Sequence, residues 1–430
     1  MSILDKLYDD SAWESFLNRK SENEYISKLE KRRIEKFIRE KRYLPIVEKI
    51  ENGLPLSSPR LAVLNKKYTQ KKRKVFIFPN EENFVLKMIS FLLYKYDYLF
   101  SPNLYSFRRN MTVKMALSEI LKRNRNSYMY SYKVDIHEYF NSVNPKRMVE
   151  ILNRYIPEDK RLIAFIERLL GDEYAIQNGK KIKVQKGIMA GMPISGFLAN
   201  LYLCELDQRF YERNIPYIRY SDDIIVFAQK EDELHEYEQK LRAELSARDL
   251  TVNEKKEFRT APHERWEFLG FSINDSTVDI SDASFKKIKA KLRRKARAIL
   301  RWKNKTGATD EWAIRAYIKH FNKKFFHNDK ENELTWCMWY FPAINTTKRL
   351  GEIDEYMISC IRYIATGKHT KANYNLRYEK IKALGYISLV NAYYRFKRGK
   401  EFPIGDVDLE AILASENDDE QFRHKSSRQE

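Results

Sequence analysis

The sequence predicts an α+β protein, an antiparallel sheet with helices on one face followed by a helical C-terminal region. Three observations carry this. Glycine is scarce, 13 in 430 residues, against roughly 7% in an average protein, so few tight turns and long helices are expected. From Tyr128 to Ile273 the patterning runs strand, helix, hairpin, helix, strand, an order that builds such a sheet. After residue 284 the strand-like runs give way to basic and aromatic stretches of helical period.

Residues 1–60 read as a helical N-terminal extension. Ile26, Leu29, Ile34, Phe37, Ile38, Leu44, Ile46 and Val47 recur at near-helical spacing across Glu22–Glu51, and the breaker cluster Asn52-Gly53-Leu54-Pro55 ends the run. Val75-Phe76-Ile77-Phe78, between a basic tract and Pro79, reads as a short strand. Glu82 to about Leu99 is helical, and the aromatic, β-branched run Tyr128–Asp135 is a strand. A polar helix-and-loop stretch leads to Lys186. Phe197–Arg213 carries Leu198, Leu201, Leu206 and Phe210 at helical spacing. Tyr217–Phe227 reads as two short strands around an acidic turn, Glu231–Arg248 as helix, and Trp266–Ile273 as strand. Residues 284–305 form one very basic helix with Phe285, Ile288, Leu292, Ala296, Ile299 and Leu300 as its apolar stripe. The polar last thirty residues, 401–430, read as a mobile tail.

Composition narrows the function. Lys and Arg number 80 against 60 Asp and Glu, a formal charge of +20, which points to a polyanionic partner. No segment approaches the roughly 20 uncharged apolar residues of a membrane helix. The start MSILDKLYDD is acidic, unlike a secretory signal. Cys204, Cys337 and Cys360 are too few and too far apart for a disulfide framework or a thiolate zinc site. The expectation is a cytoplasmic protein without a membrane anchor.

Three pieces carry chemistry. Asp135 ends the strand of YKVDIHEYFNSV, a glycine-containing loop feeds a helix in QKGIMAGMPISGFLANLYL, and Asp222 and Asp223 stand at the tip of the apolar hairpin YIRYSDDIIVF. Two divalent cations about 3.5–4 Å apart need rigidly held carboxylates from more than one place. A strand-end Asp beside a hairpin-tip Asp supplies that, with Mg²⁺ completing its shell from waters and substrate phosphates. Each piece alone has a plainer reading. Asp-Asp in a turn is commonly a solvated hairpin, and a strand-end Asp often caps the next helix.

Taken together, the pieces resemble a reverse transcriptase of the bacterial kind related to group II intron and retron enzymes. Tyr220-Ser221-Asp222-Asp223 is similar to that family's catalytic hairpin, and Asp135 with Phe140 to its first catalytic strand. Gly191-Met192-Pro193-Ile194-Ser195 with Leu198–Leu203 resembles the template and nucleotide loop with its helix. Leu250–Lys256 resembles the lysine-bearing stretch, Phe268-Leu269-Gly270-Phe271 the primer-gripping hairpin, and Tyr105-Ser106-Phe107-Arg108 the fingers signature. The resemblance implies a right-hand polymerase, with fingers and palm at 61–275 and a basic helical thumb and C-terminal region at 276–400. It implies RNA-templated synthesis of cDNA from dNTPs with two Mg²⁺ ions, for which Mn²⁺ can substitute.

Residue by residue, the resemblance makes Asp135, Asp222 and Asp223 the metal ligands and gives the Ile136 carbonyl to the second metal. Lys256 becomes a proton donor to pyrophosphate, with Lys255 as its rival. Phe140 becomes a sugar gate that excludes a 2′-hydroxyl. Arg73 and Lys74 stand where the family has a phosphate-binding arginine, and Ala190 and Gly191 lie in the nucleotide loop. Arg108, Lys287, Lys291, Arg294 and Arg297 are the expected nucleic-acid contacts. One departure is Met189-Ala190-Gly191, where intron and retron enzymes read Pro-Gln-Gly. It resembles the divergent stand-alone branch that includes antiphage-defence enzymes, some of which copy a dedicated structured non-coding RNA.

Other readings stay open. Template-independent or protein-primed DNA synthesis is the alternative within the enzyme class, and a non-catalytic RNA-binding scaffold the alternative outside it. His137 is either a metal ligand or a polar neighbour of Asp135. The basic helix is either a solvated face or a track for backbone phosphates. Trp336, Trp339, Tyr340 and Phe341 either stack on bases or fill a core.

Overall fold

The computed structural model describes residues 2–21, 28–65, 72–123, 129–185, 187–326, 335–368, 370 and 375–400. The chain forms two compact units. The first holds residues 1–288 and 327–349, the second 289–326 and everything from 350 on.

The N-terminal extension is not a separate domain. Helices α1 (Asp10–Ser21), α2 (Lys28–Arg39) and α3 (Leu44–Glu51) bury Trp13, Phe16, Ile34, Phe37 and Val47 in the main core of the first unit. Trp13 stacks on Tyr43 at 4.6 Å and meets Phe37 edge-on. Asp159 ties down the start of the chain, accepting from the Ile3 N–H at 2.8 Å and the Ser2 hydroxyl at 2.6 Å. The single helix expected over Glu22–Glu51 is two helices, because the chain turns at Lys41, whose φ is +50°, and restarts on Pro45 in the first turn of α3.

Strands β1 (Arg60–Asn65) and β2 (Lys72–Ile77) form a hairpin, followed by α4 (Asn80–Leu92) and α5 (Val113–Arg123). Strand β3 (Tyr130–Asp135) leads into the short α6 (Tyr139–Ser142), then α7 (Pro145–Tyr155) and α8 (Lys160–Gly171). The stretch read as polar helix and loop also contains a hairpin, β4 (Tyr174–Gln177) and β5 (Lys180–Lys183), which joins β1 and β2 in the order β2-β1-β4-β5.

Next come α9 (Ser195–Tyr202) and α10 (Cys204–Glu212), two helices where one was expected. Strands β6 (Tyr217–Tyr220) and β7 (Asp223–Ala228), α11 (Glu231–Ser246) and β8 (Phe258–Thr260) follow. The central sheet runs β6-β7-β3-β8, antiparallel throughout. Strands β9 (Trp266–Phe268), β10 (Phe271–Asn274) and β11 (Thr277–Ile280) make a third sheet.

Alternation along β3 and β7 sorts their side chains. Tyr132, Val134 and Ile136 join Ile224, Val226 and Ala228 in the main core with the helices. Ser131, Lys133 and Asp135 oppose Phe227, Ile225 and Asp223 on the other side. Trp266 of β9 covers that side at Phe227, with ring centroids 5.3 Å apart.

Helix α12 (Asp282–Thr306) buries the expected stripe, Phe285 through Leu300. Its first residues belong to the first unit and the rest to the second, so residues 276–400 are not one body. The second unit also holds α13 (Asp310–Phe326). Helix α14 (Trp336–Tyr340) returns to the first unit, where Tyr340 packs on Phe271 at 5.1 Å. Tyr340 and Phe341 are core residues, while Trp336 and Trp339 are half-buried. Helices α15 (Lys348–Thr366), α16 (Tyr378–Ala383) and α17 (Leu389–Lys397) complete the second unit. There the buried Asp354 carboxylate accepts from Tyr386, Ser388 and the Leu389 and Val390 N–H groups, seating the start of α17. The three cysteines are buried thiols. No described helix is long and apolar enough to cross a membrane. The expected tail at 401–430 lies outside the described residues.

Candidate active site

Register brings the acidic residues together. Asp135 pairs directly with Asp223 across β3 and β7, and the Ile136 N–H donates to the Asp222 carbonyl at 3.0 Å. Asp222 therefore sits on the turn beside the end of β3. Ser221 makes that turn with φ at +60°. Burial pushes the Asp223 carboxyl up to about 6; Asp222 and Asp135 push the same way, while Lys133 and Lys256 oppose them.

Asp135 is only 5% exposed and already has partners. Lys256 forms an ion pair with it. Asn253 donates to it from its side-chain amide at 3.3 Å and to the Asp135 carbonyl from its backbone at 2.8 Å. The short helical turn Glu254–Lys256 thus delivers the lysine to the carboxylate. Lys255 is exposed, and so is His137, whose N–H donates to the Thr251 carbonyl at 2.8 Å.

A buried polar network holds the hairpin from behind. Arg219, fully buried on β6, donates to Asp207 of α10 at 2.8 and 2.5 Å, to the Asn200 carbonyl at 3.2 Å and to the Ser221 carbonyl at 3.3 Å. Burial alone would lower the Arg219 pKa, but the Asp207 charge and hydrogen bonds overcome it and hold the group above its ordinary value. Tyr217 also donates to Asp207 at 2.9 Å. Ser106 accepts from the Ser221 N–H at 2.8 Å and exchanges hydrogen bonds with Asn200. Ser106, Asn200 and Ser221 lie in stretches that carry the resemblance, but Arg219 and Asp207 did not stand out in the sequence, since nothing local marks which Arg and Asp will pair inside a core.

The glycine loop lies against both Phe140 and β2. The Ile188 N–H donates to the Phe140 carbonyl at 2.9 Å, and the Ala190 carbonyl accepts from the Phe76 N–H at 2.8 Å. Gly187 and Gly191 are obligatory here. A Cβ on Gly187 would lie 2.2 Å from the Phe140 carbonyl oxygen, and one on Gly191, at φ +101°, 2.4 Å from a Val75 methyl. Phe140 is half-buried and meets Phe107 edge-on at 6.3 Å.

The remaining expected contacts fall out differently. Lys74 is exposed and, by alternation, points to the opposite side of β2 from Val75. Arg73 lies in β2, but its side chain is outside the described residues. Arg108 corrects the expectation of a nucleic-acid contact. Its guanidinium is bound to the Asp97 carboxylate at 3.1–3.2 Å and to the Ser101 and Leu104 carbonyls at 2.8 and 3.1 Å, so it fastens its own loop. Lys287, Arg294 and Arg297 are exposed and Lys291 half-exposed on the flank of α12 away from its apolar stripe. That helix crosses the boundary between the two units, and these residues are not part of the carboxylate cluster.

Residues 64–273 match the family described as reverse transcriptase (RNA-dependent DNA polymerase). The chain carries a reverse transcriptase domain. Within curated proteins it is similar to the retron Ec86 reverse transcriptase of Escherichia coli, 30% identical over 106 residues. That match spans 24% of this chain and 33% of the relative. Among solved structures, apo telomerase from Candida tropicalis aligns over 80% of this chain and 61% of its own, at 14% identity and TM-score 0.44. Telomerase from Candida albicans, solved with a fragment of telomeric RNA, aligns over 81% and 68% at 11% identity and TM-score 0.42. Likeness at that level decides nothing about this chain. The carboxylate cluster, its buried network and the glycine loop all fall inside the reverse transcriptase domain.

Among the described residues no three His, Cys, Asp or Glu side chains are gathered closely enough to hold a metal alone. The donor chemistry nonetheless suits Mg²⁺, which takes one or two carboxylates and fills its shell with water and phosphate oxygens. The raised Asp223 carboxyl and the Lys256 ammonium on Asp135 mark a place where positive charge is favoured.

Proposed function

We propose that this chain is an RNA-directed DNA polymerase that adds dNTPs to a DNA 3′ end on a structured non-coding RNA, in the cytoplasm and in the service of antiphage defence. The observation that carries the catalytic reading is the pairing of Asp135 with Asp223 across β3 and β7, with Asp222 on the adjoining turn. Asp135, Asp222, Asp223 and the Ile136 carbonyl would hold two Mg²⁺ ions, or Mn²⁺ in their place. When bound, these supply activation of the 3′-hydroxyl and charge stabilisation for the departing pyrophosphate.

The protein's own residues do the rest. Asn253 fixes the Asp135 carboxylate. Lys256 releases Asp135 and gives an Nζ proton to the pyrophosphate oxygen as the bond to phosphorus breaks. The Phe140 ring, braced by Phe107, packs under the sugar and leaves no room for a 2′-hydroxyl. Support for an RNA template comes from the excess of cations, +20 overall. The defence role rests on the resemblance at Met189-Ala190-Gly191.

The test is to purify the chain from its host, sequence the RNA and DNA it carries, and repeat with Asp222→Asn. DNA complementary to one abundant RNA, absent from the variant, is the expected result. Mutant-sensitive DNA with no RNA counterpart would instead mean untemplated synthesis, and no such DNA would leave a scaffold. Plaque counts on cells expressing either form test the defence role, with protection expected only from the unaltered chain.

A further inference from the structure

A second cationic site lies outside the carboxylate cluster. Helix α1, helix α4 and the segment at 94–110 line a half-open cavity of about 310 Å³, at the small end of ligand-sized pockets. Five of its lining residues are cations: Arg19, Lys20, Lys87, Arg108 and Arg109. Lys87 is paired with Glu30, and Arg108 with Asp97. Lys20 and Arg109 decide what the cavity can take.

Arg109 is clasped between two rings, its guanidinium carbon 4.8 Å from Phe91 and 4.7 Å from Tyr94. Both rings are within cation–π reach of the guanidinium, and its N–H groups are the donors it can offer an anion. Burial, then the nearby Lys87 ammonium, holds the Lys20 pKa below its ordinary value, with Glu30 opposing, so a further anion beside Lys20 would favour its charged form. A site with several cations selects charge over base identity, and it suits a group bearing more than one negative charge better than a single phosphodiester.

We propose that this cavity binds the terminal polyphosphate of a nucleotide, as found on the 5′-triphosphate end of an RNA strand or on a free nucleoside triphosphate. Arg109 and Lys20 are its principal donors. The site is independent of the proposed polymerase reaction, because it is read by binding alone.

The experiment measures anisotropy of one 3′-labelled single-stranded RNA 12-mer carrying either a 5′-triphosphate or a 5′-hydroxyl, on the purified full chain. The triphosphate end is expected to bind about tenfold tighter, the worth of one charge-assisted hydrogen bond, and the preference is expected to vanish in Arg109→Ala and shrink in Lys20→Gln. ATP displacing the triphosphate RNA at equal concentration would name the free nucleotide as the ligand; ATP failing to do so would name the strand end. Equal affinity for the two RNA ends, with no displacement by ATP, overturns the proposal. So does a triphosphate preference that survives both substitutions. Circular dichroism of the two variants guards against misfolding, and Lys20, at the end of α1, is the safer of the two.

Discussion

The acidic hairpin and the glycine loop meet at one site, but different physics positions them. The hairpin is held by charge. Behind Ser221 stands a fully buried Arg219–Asp207 pair, with Tyr217 and the Asn200 and Ser221 carbonyls drawn into its network. The loop is held by missing atoms. Gly187 and Gly191 let the backbone close on Phe140 and β2 at distances no side chain permits. A charge network fails when one partner is removed and recovers when both are. A steric fit fails when anything is added, and where the obstacle is backbone, as at Gly187, no side-chain substitution nearby restores it.

That contrast can be broken in four ways. The largest expected effect is on chemistry: Asp222→Asn should cut dNTP incorporation by about four orders of magnitude or more, with RNA binding in a filter assay nearly unchanged. If RNA binding falls as well, the carboxylates are structural.

Next is the charge network. Arg219→Met leaves Asp207 buried without its partner and should cost about 3–5 kcal/mol in urea unfolding, whereas Arg219→Met with Asp207→Leu should recover most of that. A double variant as unstable as the single would show that the pair acts through something other than charge.

The steric side comes third. Gly187→Ala should cost about 1–3 kcal/mol from its left-handed backbone alone, with the clash against Phe140 added, and it should lower incorporation at the same time. An alanine tolerated without either change would mean that the loop can back away. The smallest expected effect is Phe140→Ala, which should relax discrimination against ribonucleotides about tenfold, measured as the ratio of rNTP to dNTP incorporation. An unchanged ratio would remove Phe140 as the sugar gate.

What could be read beforehand follows the same division. The strands on either side of Asp222 and the apolar stripe of α12 were legible because burial imposes a period on the sequence. The carboxylates were legible because Asp135, the glycine loop and Asp222-Asp223 follow one another in the order of the family they resemble, although each piece alone has a plainer reading. The Arg219–Asp207 pair was not, since a buried ion pair is made by tertiary approach of α10 and β6 and leaves no pattern in either. Arg108 shows the converse. The resemblance at Tyr105–Arg108 makes it a nucleic-acid contact, yet Asp97 and two carbonyls claim it.

The β4–β5 hairpin did carry a signal, Asn178-Gly179, both with positive φ in the turn. Its second strand, the lysine-rich β5, lacked the apolar alternation that would have made it persuasive. The helix expected over Glu22–Glu51 failed because periodicity continues in phase across the turn at Lys41.

The Asp135–Asp223 register also decides where this chain can change length. Residues 137–221 leave the central strand and return to it, and the bond from Ile136 to Asp222 closes that excursion whatever its contour. Residues gained or lost in the β4–β5 hairpin would leave the carboxylates where they are. One residue gained inside β3 or β7 would turn an aspartate inward among Val134 and Ile224 and bring a valine or isoleucine out in its place. Insertions and deletions in descendants of this sequence should therefore gather at the hairpin and spare twelve residues, the six of β3 and the six of β7.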